Sequence, residues 1–449
     1  MNKYIFLLVI SSVAIISCED FLDLKPTNSL IADNAVYDAK TARALVNSAY
    51  SSLKSYNAGS AIILGVIPAD NVFFGGSQSQ NIELDNNAFT ITNSAIVSAY
   101  QSLYSLINRT NWAISEIPKV KDETFETGEQ DKLVGEAYFI RAFAYFYLGR
   151  SWGGVQLQLT PTTDLNSLGD IKRSSQEETY NQVLDDLDKA ENLLPTDNAS
   201  TRNLLQHSIV KAFRAKVLLY AKRFEQAEMN ATEVINNPKY ELVKPYSAFF
   251  EVPFGTKESV FELSATANNA GVSGSAWFPA SGTPRGSYEY RPTAELISLL
   301  NNPLKGGNRN ALIATRGSDT YGNLYHTTSP NTNPAYVIRI AELYLIRAEA
   351  RVSKANPDFH GAIADLNAVK SRAEAELFSD NIDKSAILQA IWDERRIEFA
   401  FEADRWYDLS RTEQAEKVLG VKKDFWLFPI PQADVLSDPS LGGKNNPGY

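Results

Sequence analysis

"AKVLLYAKRFEQA", residues 215–227, and "ARVSKANPDFHGA", residues 350–362, share one spacing: an alanine, a phenylalanine nine positions on, and a second alanine three further. Each stretch lies between two helical patterns, with the phenylalanine opening the second. Small residues let antiparallel helices approach closely, and an aromatic side chain plugs the turn between them. Those are the needs of a helix-turn-helix repeat of tetratricopeptide type. The predicted fold class is therefore mostly all-α, a frame of helical hairpins.

Working outward, "KLVGEAYFIRAFAYFYLG" (132–149) is apolar on two sides, which predicts a helix packed on two sides. "YNQVLDDLDKAENLLP" (180–195) sets Tyr180, Val183, Leu184, Leu187, Ala190 and Leu194 at spacings of three and four, with Pro195 as its stop and an acidic outer face. The two alanine–phenylalanine units start 135 residues apart, so they are not tandem copies. Between them, residues 240–335 carry nine glycines and eight prolines. That density breaks helices and predicts a long irregular insertion, and loops of such length inside a domain usually carry function.

The chain opens with Lys3, a mostly apolar run over residues 4–16, then Ser17 and Cys18. Thirteen residues are too few to cross a ~30 Å hydrocarbon layer, which needs about 20, so residues 1–17 are read as a removed leader. Residues 18–449 are expected to form one domain. Cys18, the only cysteine, is either a small apolar residue within the leader or the end of a lipobox, which it resembles apart from Ile16 in a place that usually holds a small side chain. In a lipobox the cysteine sulfur is acylated, and stable anchoring needs two or more chains. No other run reaches 18 apolar residues. Losing the leader removes only Lys3 and takes the formal charge from −10 to −11, which disfavours nucleic acid as a partner. One cysteine forms no disulfide within the chain and no thiol-ligated metal site. Three histidines leave little for another, and no cofactor is expected.

No nucleophile elbow, zinc-protease helix, phosphate loop or dinucleotide fingerprint is present. "DLNSLGDIKRSS" from Asp164 begins like a calcium loop but has Leu168 and Ser175 at ligand positions. A glycoside hydrolase needs only two placed carboxylates among 53 acids, and stays open as an alternative to a binding module. Binding has positive support, because sugar C–H faces stack on aromatic planes while hydroxyls pair with planar polar groups. The insertion supplies Trp277, Phe278, Arg285, Tyr288 and Tyr290; Glu289 and Arg291 are the other charges nearby. "IPADNVFFGGSQSQNIELDNN" (67–87) supplies Asp70, Asn71, Phe73, Phe74, Gln78 and Gln80. Core packing is the competing reading for each aromatic, and a turn or cap for Asp70 and Asn71. Trp277 is the leading candidate, flanked by small residues and Pro279. Trp392 and Trp406 fall in a helical region, 384–411, and are assigned to the frame. Asp393, Glu394, Arg395, Arg396, Glu398, Asp404 and Arg405 are expected to pair as neighbours on helices.

"RIAELYLIRAEARV" (339–352), "IWDERRIEFAFEADRWYDLSR" (391–411), "FPIPQADVLSDPSLGGKNNPGY" (428–449), "PADN" (68–71) and the acid-rich "EDFLDLKP" after Cys18 together resemble the SusD/RagB family of Bacteroidetes outer-membrane lipoproteins. The ending departs slightly, with lysine and asparagine before "NPGY" where glutamine is usual. The resemblance implies a tetratricopeptide-like frame with a loop-rich ligand face and a lipid anchor in the outer membrane facing outward. It also implies a SusC-like TonB-dependent transporter as partner, over which the lipoprotein sits as a lid. Such proteins bind glycans, or peptides in RagB-like members, and are not enzymes. Few cations in the loop favour a neutral glycan over a polyuronate, while Arg285 and Arg291 leave an acidic one open. Independently of those charges, the specific ligand expected is a β-glucan such as laminarin. Glu19 and Asp20 resemble an acidic surface-export signal.

Overall fold

A computed structural model describes residues 36–163, 171–197, 204–252, 254–379 and 383–449. Cys18, its flanking acids, and the start of the calcium-like stretch, 164–170, lie outside these.

The elements that build the frame and position the site are, in chain order, α1 (Ala39–Tyr56), β1 (Val72–Phe74), α2 (Ser94–Glu116), α3 (Glu129–Trp152), α4 (Gln176–Leu193), α5 (His207–Tyr220), α6 (Phe224–Ile235), β2 (Ser259–Leu263), β3 (Tyr290–Pro292), β4 (Ile313–Arg316), β5 (Asp319–Gly322), β6 (Ala335–Arg339), α7 (Ile340–Ser353), α8 (Phe359–Arg372), α9 (Lys384–Glu398) and α10 (Arg405–Arg411). Among the described residues, no helix is long and apolar enough to cross a membrane.

The two alanine–phenylalanine stretches form the hairpins α5/α6 and α7/α8. Phe224 and Phe359 are the first residues of α6 and α8, and Ala215, Ala227, Ala350 and Ala362 are fully buried. Although 135 residues apart in sequence, the hairpins are adjacent in space, because α7 packs on α6. The row continues through α4 and α3 to α2. Helix α3 is buried on nearly every side over its last two-thirds, as its two-sided apolarity requires. It meets α4 through Gly135 and Gly149, where an added Cβ would lie 2.9 Å from Leu193 Cβ and from Tyr180 Cε1. Alanine at either position would force the helices apart. Ser175 and Glu178 form a capping box that starts α4.

The 240–335 segment is less irregular than its composition suggests. It contributes strands to three antiparallel ribbons, β1–β3, β2–β6 and β4–β5. One apolar cluster runs from Ala49 to Leu441 and includes Val260, Phe261, Trp277 and Phe278 of this segment. The region 384–411 is two helices, α9 and α10, broken over residues 399–404.

That break creates a buried ionic lattice. Glu398 accepts from Arg309 Nε at 2.7 Å and from Arg339 at 2.8 Å, and Arg372 joins them. Burial alone would raise the Glu398 pKa; three guanidiniums overcome it and hold the carboxyl down to about 2. Asp404 accepts from Arg150 and Lys216, both at 2.7 Å, and Arg150 lies 3.8 and 3.9 Å from the ring centres of Tyr147 and Tyr407. The lattice thus joins separate elements rather than helix neighbours. Asp393 stands apart, accepting only from Gln389 among the described residues.

Candidate functional site: an exposed aromatic and cationic platform

Strand β1 alternates inward, outward, inward: Val72 and Phe74 are buried, and Phe73 is 42% exposed. Its antiparallel partner β3 sets Phe73 opposite Arg291 and Phe74 opposite Tyr290. On the outer side the Arg291 guanidinium carbon lies 5.8 Å from the Phe73 ring centre and 4.4 Å from that of Tyr288. Arg291 Nε donates to the Tyr288 carbonyl at 2.9 Å, and the Tyr288 hydroxyl donates to the Thr320 carbonyl at 2.8 Å, tying the layer to β5. Tyr288 holds φ at +52°, a left-handed conformation that costs a bulky residue energy and is kept here by those two bonds.

Gly75 is required for this arrangement. A Cβ there would lie 2.4 Å from Arg291 Nε, and the Gly75 amide donates to the Glu289 carbonyl at 2.7 Å. Gln78, the residue before helix Ser79–Asp85, donates from Nε2 to Glu289 Oε1 at 3.3 Å. Arg285 is exposed on the preceding loop. The result is a rim of aromatic rings, a carboxamide, a carboxylate and the Arg291 guanidinium around a two-stranded ribbon. Such a surface can stack on a ring's C–H face and hydrogen-bond its substituents.

Three sequence candidates, Phe73, Gln78 and Tyr288, lie on this outer layer, whereas Arg285 is exposed on the loop before it and makes no contact with the layer among the described residues. Four aromatics do not lie on it. Trp277 is 1% exposed, packed edge-on against Tyr290 and Phe401 with ring centres 5.2 and 5.0 Å away. Its indole therefore presents no face to a ligand, which corrects the leading expectation. Gly322 makes the room, since a Cβ there would lie 2.7 Å from the indole. Phe278 is 3% exposed beneath Tyr321 and Arg316, Phe74 is buried, and half-buried Tyr290 packs against Trp277 and Phe74. All four belong to the apolar floor of the platform.

Asp70 and Asn71 form a latch rather than a ligand site. Asp70 pairs with Arg405 and, at 3.0 Å, with Arg396. Asn71, 1% exposed, donates to the Arg396 and Ala400 carbonyls and accepts from Arg396 Nε at 3.0 Å. Both turn "PADN" onto the end of α9, which holds β1 in place. Arg291 and Glu289 are the platform residues that sequence reasoning missed. Their signal was the Phe73–Arg291 register, and that exists only once β1 and β3 are paired.

Two family models match the chain: one described as starch-binding and associating with the outer membrane, over residues 20–219, and the SusD family, over residues 278–425. Curated relatives include the SusD-like protein P38 of Formosa agariphila, 27% identical with 97% of each chain covered. Another is a SusD-like protein of Bacteroides ovatus, 25% identical over 90% of this chain and 81% of that one. Among solved structures, a laminarin-binding SusD-like protein superposes with a TM-score of 0.78 at 22% identity, over 92% of this chain and all of that one. A SusD superfamily protein of Bacteroides vulgatus gives 0.80 at 23%, over 91% and 99%.

Proposed function

The chain belongs to the SusD/RagB family, and from that premise we propose that it is a lipid-anchored glycan-binding protein of the outer membrane's external face. It captures oligo- or polysaccharide on the β1–β3 platform and delivers it, as a lid, to a SusC-like TonB-dependent transporter. Cys18 carries the acyl chains, and residues 18–449 act as one domain. Binding, not bond cleavage, is its activity.

The observation that carries this reading is the Phe73–Arg291–Tyr288 stack. It is an exposed aromatic surface held rigid by its own hydrogen bonds, with Gln78 and Glu289 beside it. Rigid placement limits the ordering cost of binding. Laminarin, a neutral β-glucan, is the first ligand to try, because a laminarin-binding relative shares the fold. Affinity electrophoresis in laminarin and a panel of other glycans and peptides tests the proposal. Retardation by a glycan, lost in Phe73→Ala with the unfolding midpoint unchanged, is expected. Retention of full binding in Phe73→Ala and Tyr288→Ala would remove the platform as the site.

A further inference from the structure

A cleft of about 490 Å³ opens between one side of α1, the start of α3, the end of β2 and the turn after it, and it shares no lining residue with the platform. Helix α1 contributes Arg43, Asn47, Ser51 and Lys54, whose spacings of four, four and three place them on one side of the helix. The charges facing them from α3 are Glu129, Lys132 and Glu136. Among these groups Lys54 stands out. It is 5% exposed, and its ammonium donates to the Asn269 carbonyl at 2.8 Å, yet it forms no ion pair among the described residues. Burial lowers its pKa, as expected of an ammonium that has lost water without gaining a counter-charge.

The other charges of the lining do not supply that counter-charge. Arg43 holds Glu129 through Nε and Nη2, both at 2.5 Å, so this carboxylate is neutralised and the guanidinium fork that would grip a phosphate is occupied. Glu136, 5% exposed, is kept largely protonated below about pH 7 by burial, so Lys132 at 3.9 Å gains little from it there. Asn47 and Ser51 are exposed and make no hydrogen bond to protein among the described residues, which leaves a carboxamide and a hydroxyl free to donate beside Lys54. The remaining wall is apolar, with Leu133 and Leu263 buried and Leu204 half-exposed at its edge. One unbalanced ammonium beside an apolar wall suits a single negative charge on an apolar body. We propose that this cleft binds a monocarboxylate carrying an apolar chain or ring, its carboxylate on Lys54 with Asn47 and Ser51 donating, and its body against Leu133, Leu204 and Leu263. This site is independent of whatever the platform binds.

Calorimetric titration of the protein at pH 6 with benzoate, octanoate, benzyl alcohol as the uncharged counterpart of benzoate, and inorganic phosphate tests it. One equivalent of benzoate or octanoate is expected to bind, weakened about tenfold or more by Lys54→Met, which removes the charge, and by Ser51→Asp, which sets a carboxylate beside it. Thermal unfolding of each variant checks its fold. Should Lys54→Met not fold, Ser51→Asp on the exposed part of α1 decides alone. Absence of binding by both carboxylates, benzyl alcohol binding as tightly as benzoate, phosphate binding in preference to either carboxylate, or carboxylate binding unaltered in the folded variants would each overturn the assignment.

Discussion

Asp70 accepts two hydrogen bonds from Arg405, at 2.7 and 2.9 Å, across 335 positions of chain. This contact, with Arg396 at 3.0 Å, fastens the loop that carries Phe73 to the C-terminal ionic lattice. Burial raises the Asp70 pKa, but the Arg405 hydrogen bonds and the charges of Arg405 and Arg396 outweigh it and leave the carboxyl below its ordinary 3.8.

Asp70→Asn is expected to cost about 3–5 kcal/mol, because it leaves the largely buried Arg405 guanidinium without a counter-charge, whereas Arg396 keeps the exposed Glu295 at 2.8 Å. Since the folded pKa is depressed, the contribution is complete above the ordinary value and disappears as pH falls through the lower folded one. Urea unfolding of wild type and variant from pH 7 to pH 2 checks both statements. A cost below 1 kcal/mol at pH 7, or a gap that does not narrow in acid, would contradict them.

Trp277→Ala should act on the fold first. The indole fills a site bounded by Tyr290, Tyr325, Phe401 and Gly322, so its removal leaves a cavity costing about 3–5 kcal/mol. Thermal unfolding should show a much lower midpoint. A variant of wild-type stability that has lost glycan binding would instead return Trp277 to the ligand surface.

The hairpins were legible because alanine spacing and apolar periodicity are local, and the helix packing they require comes from the chain itself. Phe73 was half legible: the glycine-bearing stretch marked a non-helical candidate loop, but Val72–Phe74 is apolar throughout, so nothing local says that Phe73 faces out while its neighbours face in. Trp277 misled for a physical reason: its small neighbours Gly274, Ser275 and Ala276 form a 3₁₀ turn that drives the ring inward, whereas the same composition suits an exposed loop. Apart from Asp393, the charges of 393–405 were correctly read as structural, yet their partners Arg309, Arg339, Arg372 and Asp70 come from elsewhere in the chain, beyond any spacing rule.

Cys18→Ala tests the anchor independently of the ligand. If the sulfur carries diacylglycerol, the variant escapes acylation and leaves the outer-membrane fraction, because two or more chains are needed for stable attachment. Fractionation with metabolic labelling by a fatty-acid analogue reads this out. Label and membrane location both persisting in the variant would refute the anchor.

Glu136 on α3 supplies the clearest pH dependence. It is 5% exposed, and burial pushes its pKa from 4.5 up to about 7, although Lys132 stands 3.9 Å away. With the folded value raised, the native state holds the proton more tightly than the unfolded chain. Its stabilisation is therefore full below about pH 4.5 and declines as pH rises through 7. At 1.36 kcal/mol per pKa unit the loss approaches ~3 kcal/mol. Glu136→Gln removes this titration, so the variant should gain on wild type progressively between pH 5 and pH 8. Glu402, also lifted to about 7 by burial beside Arg339, remains and keeps part of the slope. Unfolding free energies at pH 5, 6.5 and 8 would show the two curves converging at low pH and separating at high pH; parallel curves would mean that Glu136 is charged throughout.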